Sequence, residues 1–251
     1  MKVLLFLLTG LLTFSACSSP EKEVGASVTL RFSHNWENTP VTSADFNTIK
    51  FTNENGEMLS IERLRYLISN VILTNTNNEI YKLSSYQLVN LGEGEVTIES
   101  NEVPVGDYKL SFVFGFTDTE NVDGSYPDLN AASFNVPGML GGGYHFMQFD
   151  GKYIGQNLAP AGFNYHVIRA VNIEDPNNLV FQDTSIKVSL GVVPIRATTE
   201  IEIKMNIAEW FKNPNTWDLN TLNTVLMPNF DAQILMHQNG KSVFSLGAVN
   251  Q

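Results

Sequence analysis

The stretch Val28-Thr29-Leu30-Arg31-Phe32-Ser33 alternates apolar and polar side chains at every position. Because successive side chains of a β-strand point to opposite faces, this pattern predicts a strand that buries Val28, Leu30 and Phe32. The same register places His34 on the buried face, at the end of the strand. The fold prediction starts from this strand.

Similar runs recur along the chain and are separated by turns rich in Gly, Asn, Asp and Pro, as at Asn55-Gly56 and Pro104-Val105-Gly106-Asp107. The predicted strands cover residues 64–73, 81–91, 108–116, 163–173, 185–192, 200–205 and 243–249. Many short strands with such turns are typical of all-β proteins. We predict an all-β fold, an antiparallel β-sandwich or a barrel-like structure, with one or two short helices.

The helix signals are confined to one region. Asn206-Ile207-Ala208-Glu209 has the pattern of a capping box and predicts a short helix that ends before Pro214. A second short helix is predicted to begin at Thr216 and to run toward Leu226. Both helices are expected to close one end of the sheets.

The first residues have the features of an export signal. A lysine precedes an apolar stretch at positions 3–13, which is too short to be a permanent membrane helix. Phe14-Ser15-Ala16-Cys17 resembles the lipobox of bacterial lipoproteins, in which the cysteine carries the lipid. We predict a signal peptide at residues 1–16, a lipidated Cys17 with a tether to residue 26, and one β domain at residues 27–251. The alternative is an ordinary secretory peptide with Cys17 retained.

A lipoprotein of this kind is expected in the outer membrane, facing the periplasm or the cell surface, and held to the membrane by its lipid. The polar segment Ser18-Ser19-Pro20-Glu21-Lys22-Glu23 also resembles the surface-export signal of Bacteroidetes lipoproteins. Since Cys17 is the only cysteine, its lipidation leaves no thiol for a disulfide or a thiolate ligand.

Charge and motifs exclude several functions. The net charge of −11 would repel a polyanion, so we predict no nucleic-acid partner. The sequence has no Gly-x-Ser-x-Gly elbow, phosphate loop or His-Glu-x-x-His motif. The protein is therefore not expected to be an enzyme.

The histidines are the remaining candidates for chemistry. An inward-facing His34 needs either a hydrogen-bond partner or a metal ion. The residues around His166 do not indicate which face of its strand it occupies. His145 follows the glycine run 141–143 and lies near Met139, and these side chains suit copper. The alternative for this segment is a flexible loop that leads into a strand, with its methionines in the core.

Four segments together resemble the MbnP-like copper-binding domain family, a family of exported β proteins that are often lipoproteins in Bacteroidetes. They are residues 64–73, 103–108, 138–146 and 163–168, in the family's order and spacing. The chain departs from the family pattern in two places. Leu140-Gly141-Gly142 stands where the family has tryptophans, and Arg169-Ala170 replaces a Gly-Gly after the histidine.

The resemblance implies that His34 and His166 are copper ligands, for Cu(I) or Cu(II), with a third group or water. Trp36, Met139 and His145 are additional candidates near the site, and Trp36 is the candidate counterpart of a tryptophan that some members oxidise to kynurenine. Those members act beside di-haem peroxidase-like proteins, which makes such a protein a candidate partner. The function this implies is copper binding outside the cytoplasm, for uptake or sequestration.

A different function fits the same anchored β domain. A surface module could bind glycans or proteins without metal, by stacking exposed Trp or Tyr rings on sugars. The two functions are separated by copper binding and by the exposure of the aromatic side chains.

Overall fold

The computed structural model describes residues 25–251. The predicted signal peptide, Cys17 and nearly all of the tether lie outside the described residues. The predicted domain at 27–251 lies within them. None of the helices in the described part of the chain has the length and apolar character needed to cross a membrane.

Strands dominate the chain. They are β1 Ala26–Trp36, β2 Thr39–Pro40, β3 Phe51–Thr52, β4 Met58–Leu59, β5 Arg63–Thr74, β6 Ile80–Asn90, β7 Thr97–Val103, β8 Gly106–Phe114, β9 Met147–Ile154, β10 Pro160–Val167, β11 Ala170–Asn172, β12 Val180–Gln182, β13 Ile186–Ile195, β14 Thr198–Asn206 and β15 Phe244–Asn250. The α-helices are α1 Pro127–Ala131 and α2 Phe230–Asn239. Short 3₁₀ helices cover Ser43–Asp45, Leu91–Glu93, Gly138–Leu140, Ile207–Phe211 and Gly240–Ser242.

The strands form two large sheets and one small sheet. A five-stranded sheet has the order β15-β14-β1-β2, with β7 also paired to β1. An eight-stranded sheet has the order β13-β8-β5-β9-β4-β3, with β6 on β5 and β10 on β9. β11 and β12 form the two-stranded sheet. The prediction of an all-β fold is confirmed, and the pairing is antiparallel except between β1 and β14, which are parallel.

Strand β1 has the predicted alternation, since every second residue from Ala26 to Trp36 is buried. His34 is on the buried face, as its register predicted. β14 lines one edge of β1 in register, with Phe32 beside Ile203 and His34 beside Met205. This strand therefore supplies one wall of the core.

Strand β5 organises the other sheet. Along one edge it pairs with β6 over most of its length. Along the other edge it pairs with β9 through residues 63–66 and with β8 from Ile68 onward, so β8 and β9 lie end to end. β10 then pairs with the free edge of β9. The β5-β9-β10 register decides which side chains share a face.

The core between the two sheets is rich in aromatic side chains. Phe114 of β8 is fully buried, and its ring lies 5.2 Å from that of Trp210 and 5.8 Å from that of Phe244. Tyr66 of β5 contacts both Phe114 and Phe244. Rings from both sheets and from the Ile207–Phe211 segment therefore interdigitate in one continuous core.

The helix predictions were partly wrong. The capping pattern at Asn206 does begin a helix, because its side chain accepts from the Ala208 amide, but Ile207–Phe211 is a single 3₁₀ segment. No helix forms at 216–226, where the structure has turns. The longest helix among the described residues is Phe230–Asn239, which is capped by the side chain of Asn229. The weak amphipathic pattern of this helix gave no sequence signal.

Replacing Phe114 with Ala should lower the free energy of unfolding by about 3–5 kcal/mol. The substitution leaves a cavity, and the surrounding rings are packed too closely to move in and fill it. Chemical denaturation followed by circular dichroism measures this loss. Val192→Ala is the matched control, because Val192 is 68% exposed and its truncation should change stability by less than about 0.5 kcal/mol. Equal losses in both variants would contradict this description of the core.

Candidate metal centre

Two rows of side chains cross β5, β9 and β10, one on each face. Tyr66, Met147 and Val167 are register partners and point into the core. The adjacent residues Arg65, Gln148 and His166 are also partners. Since neighbouring residues of a strand point to opposite faces, His166 lies on the outer face of the eight-stranded sheet.

His166 has a carboxylate partner on the next strand. Its Nε2 lies 2.8 Å from Oδ1 of Asp150. The same carboxylate accepts from Asn164 through Oδ1 and from Arg63 through Oδ2. Burial by itself would raise the pKa of Asp150, but these hydrogen bonds outweigh burial and hold the pKa well below its ordinary value. An ionised Asp150 can only accept, so this hydrogen bond assigns a proton to Nε2 of His166, and in the neutral ring Nδ1 then carries a lone pair. No hydrogen bond reaches this Nδ1 within residues 25–251.

His145 lies against His166 on the same outer face, with the two ring centroids 5.3 Å apart and the rings nearly perpendicular. Nδ1 of His145 is 2.9 Å from the carbonyl oxygen of Phe134. A carbonyl oxygen can only accept, so the hydrogen-bond network assigns the proton of a neutral ring to Nδ1. The amide nitrogen of Gln148, which can only donate, also lies 3.3 Å from Nδ1 and would suit the other tautomer, but the shorter contact to Phe134 decides the assignment.

The other nitrogen of His145 faces a sulfur atom. Nε2 lies 3.2 Å from Sδ of Met227. Burial lowers the pKa of His145 to about 4, although the hydrogen bond to Phe134 opposes this shift. The ring is therefore neutral at pH 7. In the assigned tautomer, a nitrogen lone pair points at a thioether, which offers no proton in return.

The separation of the two rings is of the size that one shared metal ion requires. Metal–nitrogen distances of about 2.0–2.1 Å with a trigonal or tetrahedral angle put two imidazole centroids about 5.2–5.5 Å apart. A nitrogen and a sulfur bound to the same ion at these angles lie about 3.5–3.8 Å apart for metal–sulfur distances near 2.3 Å, so metal binding would lengthen the contact between His145 and Met227. The observed values are 5.3 Å and 3.2 Å. Two imidazoles and a thioether form a set of donors suited to copper, and the thioether favours Cu(I).

The glycine run explains how His145 reaches this position. Gly143 has φ +81°, and a Cβ there would lie 2.6 Å from Oδ1 of Asn121. That buried oxygen instead accepts from the backbone amide of Tyr144, at 2.8 Å. Glycine thus permits the turn that precedes His145, whose side chain reaches the outer face while those of Tyr144 and Phe146 pack in the core. Met227 arrives from a distant segment and packs against the cluster of Val136, Leu140, Ile168 and Val171.

His34 lies elsewhere. Its Nε2 is 3.2 Å from the hydroxyl of Tyr66, which belongs to the core face of the eight-stranded sheet. Burial lowers the pKa of His34 to about 4, so this ring is also neutral. His34 and His166 therefore lie on opposite faces of that sheet. The structure does not bring them together, because Tyr66 and Arg65 are adjacent in β5 and point in opposite directions.

Two of the other candidate residues, Trp36 and Met139, also lie away from His166. Trp36 is buried in the core, where it stacks on Phe51 and donates from Nε1 to the Thr52 carbonyl. Met139 is 81% exposed. Of the three additional candidates, only His145 lies beside His166. Sequence reasoning missed Met227, which no motif marks.

A family model, MbnP, matches residues 25–228. The chain belongs to the MbnP family. The solved structure of MbnP from Methylosinus trichosporium is similar to this MbnP-family chain, with a TM-score of 0.56 and 12% identity, over 89% of this chain and 99% of that one. At this identity the similarity concerns the fold. A comparison with curated proteins found no match.

Membership in the MbnP family supports a copper-related function without giving the ligands. Within residues 25–251, no three side chains of His, Cys, Asp and Glu are grouped so that they could hold a metal ion. The cluster of His145, His166 and Met227 differs from such a group because one of its donors is a thioether. The assignment of His34 as a copper ligand stays a prediction of the resemblance.

Acid should destabilise the protein through its two buried neutral histidines. The folded-state pKa of His34 and of His145, each about 4, lies below the ordinary value near 6.5, so the unfolded chain takes up protons first. Their stabilising contribution is complete above about pH 6.5 and is lost as the pH falls toward 4, at up to about 3 kcal/mol for each ring. Denaturation at a series of pH values should show this loss. His34→Gln should reduce the slope of the free energy of unfolding against pH. An unchanged slope would refute the lowered pKa of His34.

Proposed function

We propose that this protein is an exported, lipid-anchored member of the MbnP family that binds one copper ion through His145, His166 and Met227. It acts in copper uptake or sequestration outside the cytoplasm, as a binding protein and not as an enzyme. Copper is its cargo. The family assignment supports a copper-related function, and the geometry on the outer face of the eight-stranded sheet supports these ligands.

The contact between Nε2 of His145 and Sδ of Met227 carries the proposal. Each atom presents a lone pair in the assigned tautomer, so the contact gains little as a hydrogen bond. A soft cation would join the two atoms, because imidazole nitrogen and thioether sulfur both bind Cu(I) well. The carbonyl of Phe134 fixes the tautomer of His145 that such binding requires.

Asp150 supports the third donor. Its hydrogen bond to Nε2 of His166 orients the ring, as carboxylates commonly do for metal-bound histidines. Arg63 and Asn164 hold Asp150 in turn. The net charge of −11 attracts cations in general to this protein.

The glycan-binding alternative has less support. All three tryptophans, Trp36, Trp210 and Trp217, are buried and offer no ring to a sugar. Oxidation of Trp36 by a di-haem peroxidase-like partner is also not part of this proposal, because Trp36 packs in the core against Phe51 and Phe211. The copper ligands proposed here lie on the other side of the eight-stranded sheet from that core.

Copper titration tests the ligand set. The protein should bind one equivalent of Cu(I) in competition with a chromophoric chelator. His145→Gln, His166→Gln and Met227→Leu should each weaken binding by at least about a hundredfold, since each removes one donor and Leu conserves the volume of Met. Asp150→Asn should weaken binding by about 10–100-fold, because it only loosens the orientation of His166.

Matched controls use the same residue types outside the cluster. His237→Gln and Met139→Leu should bind copper like the native protein, and circular dichroism confirms that each variant is folded. His34→Gln separates this proposal from the ligand set that the resemblance implies. Loss of copper binding in His34→Gln, together with normal binding in Met227→Leu, would refute the site.

The anchor is tested separately. The lipobox-like Phe14-Ser15-Ala16-Cys17 supports lipidation of Cys17, and multiple acylation gives firm membrane attachment. Cys17→Ser should move the protein from the membrane fraction to the soluble fraction of fractionated cells, while Ser18→Ala leaves it membrane-bound. A native protein found in the soluble fraction would contradict the lipoprotein assignment.

A further inference from the structure

A second cluster of polar side chains lies where two turns meet. One is the turn between β3 and β4, where Asn53 accepts from the amide of Glu57. The other contains Asp218 and Asn220, after Trp217. Asn53 joins the turns by donating to the carbonyl oxygen of Trp217. Neither turn contributes to the copper site proposed above.

Two carboxylates approach each other at this junction. Nδ2 of Asn220 lies 2.7 Å from Oε1 of Glu57 and 3.2 Å from Oδ1 of Asp218. The orientation of Asn220 is fixed, because its Oδ1 accepts from the amide of Gln156. A single NH₂ group therefore bridges both carboxylates.

The remaining oxygen of Glu57 has no partner. The residue is only 6% exposed, and Oε2 is buried without a hydrogen-bond donor among the described residues. A buried carboxylate oxygen without a donor is costly, and a second carboxylate beside it raises that cost. A bound cation or a shared proton removes the repulsion.

We propose that Glu57 and Asp218 bind a hard divalent cation, Ca²⁺, which joins the turn at 53–57 to the turn at 217–221. Carboxylate oxygens are the ligands that Ca²⁺ prefers, and it accepts amide oxygens and water in a flexible shell. The side-chain amide of Asn55, which already contacts Oε1 of Glu57, supplies such an oxygen after rotation. Copper is not expected here, because this junction offers only hard donors.

The cation would fix the start of the segment that leads to Met227, a ligand of the proposed copper site. Trp217 is buried beside Asp218, and its ring lies 4.6 Å from that of Tyr165, the neighbour of His166. Its Nε1 donates to the carbonyl of Leu222, in the segment that leads to Met227. Ca²⁺ would thus fix one end of the segment that carries the thioether.

Calorimetric titration of the chelator-treated, copper-free full chain with CaCl₂ tests the proposal. We expect one site with a dissociation constant of about 10⁻⁴–10⁻³ M, as in extracellular calcium modules, and a melting temperature that rises with CaCl₂. Glu57→Gln and Asp218→Asn should each weaken binding at least about tenfold and abolish most of the rise.

Glu54→Gln is the matched control, because Glu54 is an exposed carboxylate in the same turn and its loss should leave Ca²⁺ binding unchanged. Met227→Leu should also keep the Ca²⁺ response, which separates this site from the copper site. No heat and no change in melting temperature would overturn the proposal and assign a shared proton to the two carboxylates. A Ca²⁺ response retained in folded Glu57→Gln and Asp218→Asn would overturn it equally.

Discussion

The register of β9 between β5 and β10 is the constraint on which the candidate site depends. It puts Tyr66, Met147 and Val167 into the core and Arg65, Gln148 and His166 on the outer face. A slip of one residue would exchange the two faces, because the side-chain period of a strand is two. The apolar row resists such a slip, since all three of its members are fully buried. Core packing therefore fixes the position of the polar row.

The polar row is stable on the outer face because each group has a defined partner. Arg65 donates to Oε1 of Gln148, and Asp150 accepts from Arg63 and His166. Gln148 is buried although it faces away from the main core, because the segment with Phe134 and His145 covers it. This cover also removes water from His145, which keeps the ring neutral and able to bind a metal ion.

The two proposed cation sites use opposite chemistry on one acidic protein. Nitrogen and sulfur donors surround the space between His145 and Met227, whereas oxygen donors meet at Glu57 and Asp218. Affinity for a soft or a hard cation follows from these donors and not from net charge. The segment from Trp217 to Met227 connects the two proposed sites. Binding of a cation at Asp218 would therefore affect the position of Met227 at the other site.

The sequence by itself determined the all-β class, the buried face of β1 and the inward position of His34, because the period of two is a local property of the strand. It also carried the family resemblance. It left the face of His166 open, gave no sign of the pairing between His145 and Met227, and did not show that His34 and His166 lie on opposite faces of the eight-stranded sheet. Only the tertiary structure decided these points, since they depend on strand register and on contacts between residues such as His145 and Met227, which are 82 positions apart. Glu57 and Asn220, 163 positions apart, meet for the same reason. Long-range packing brings such side chains together, and no local pattern encodes it.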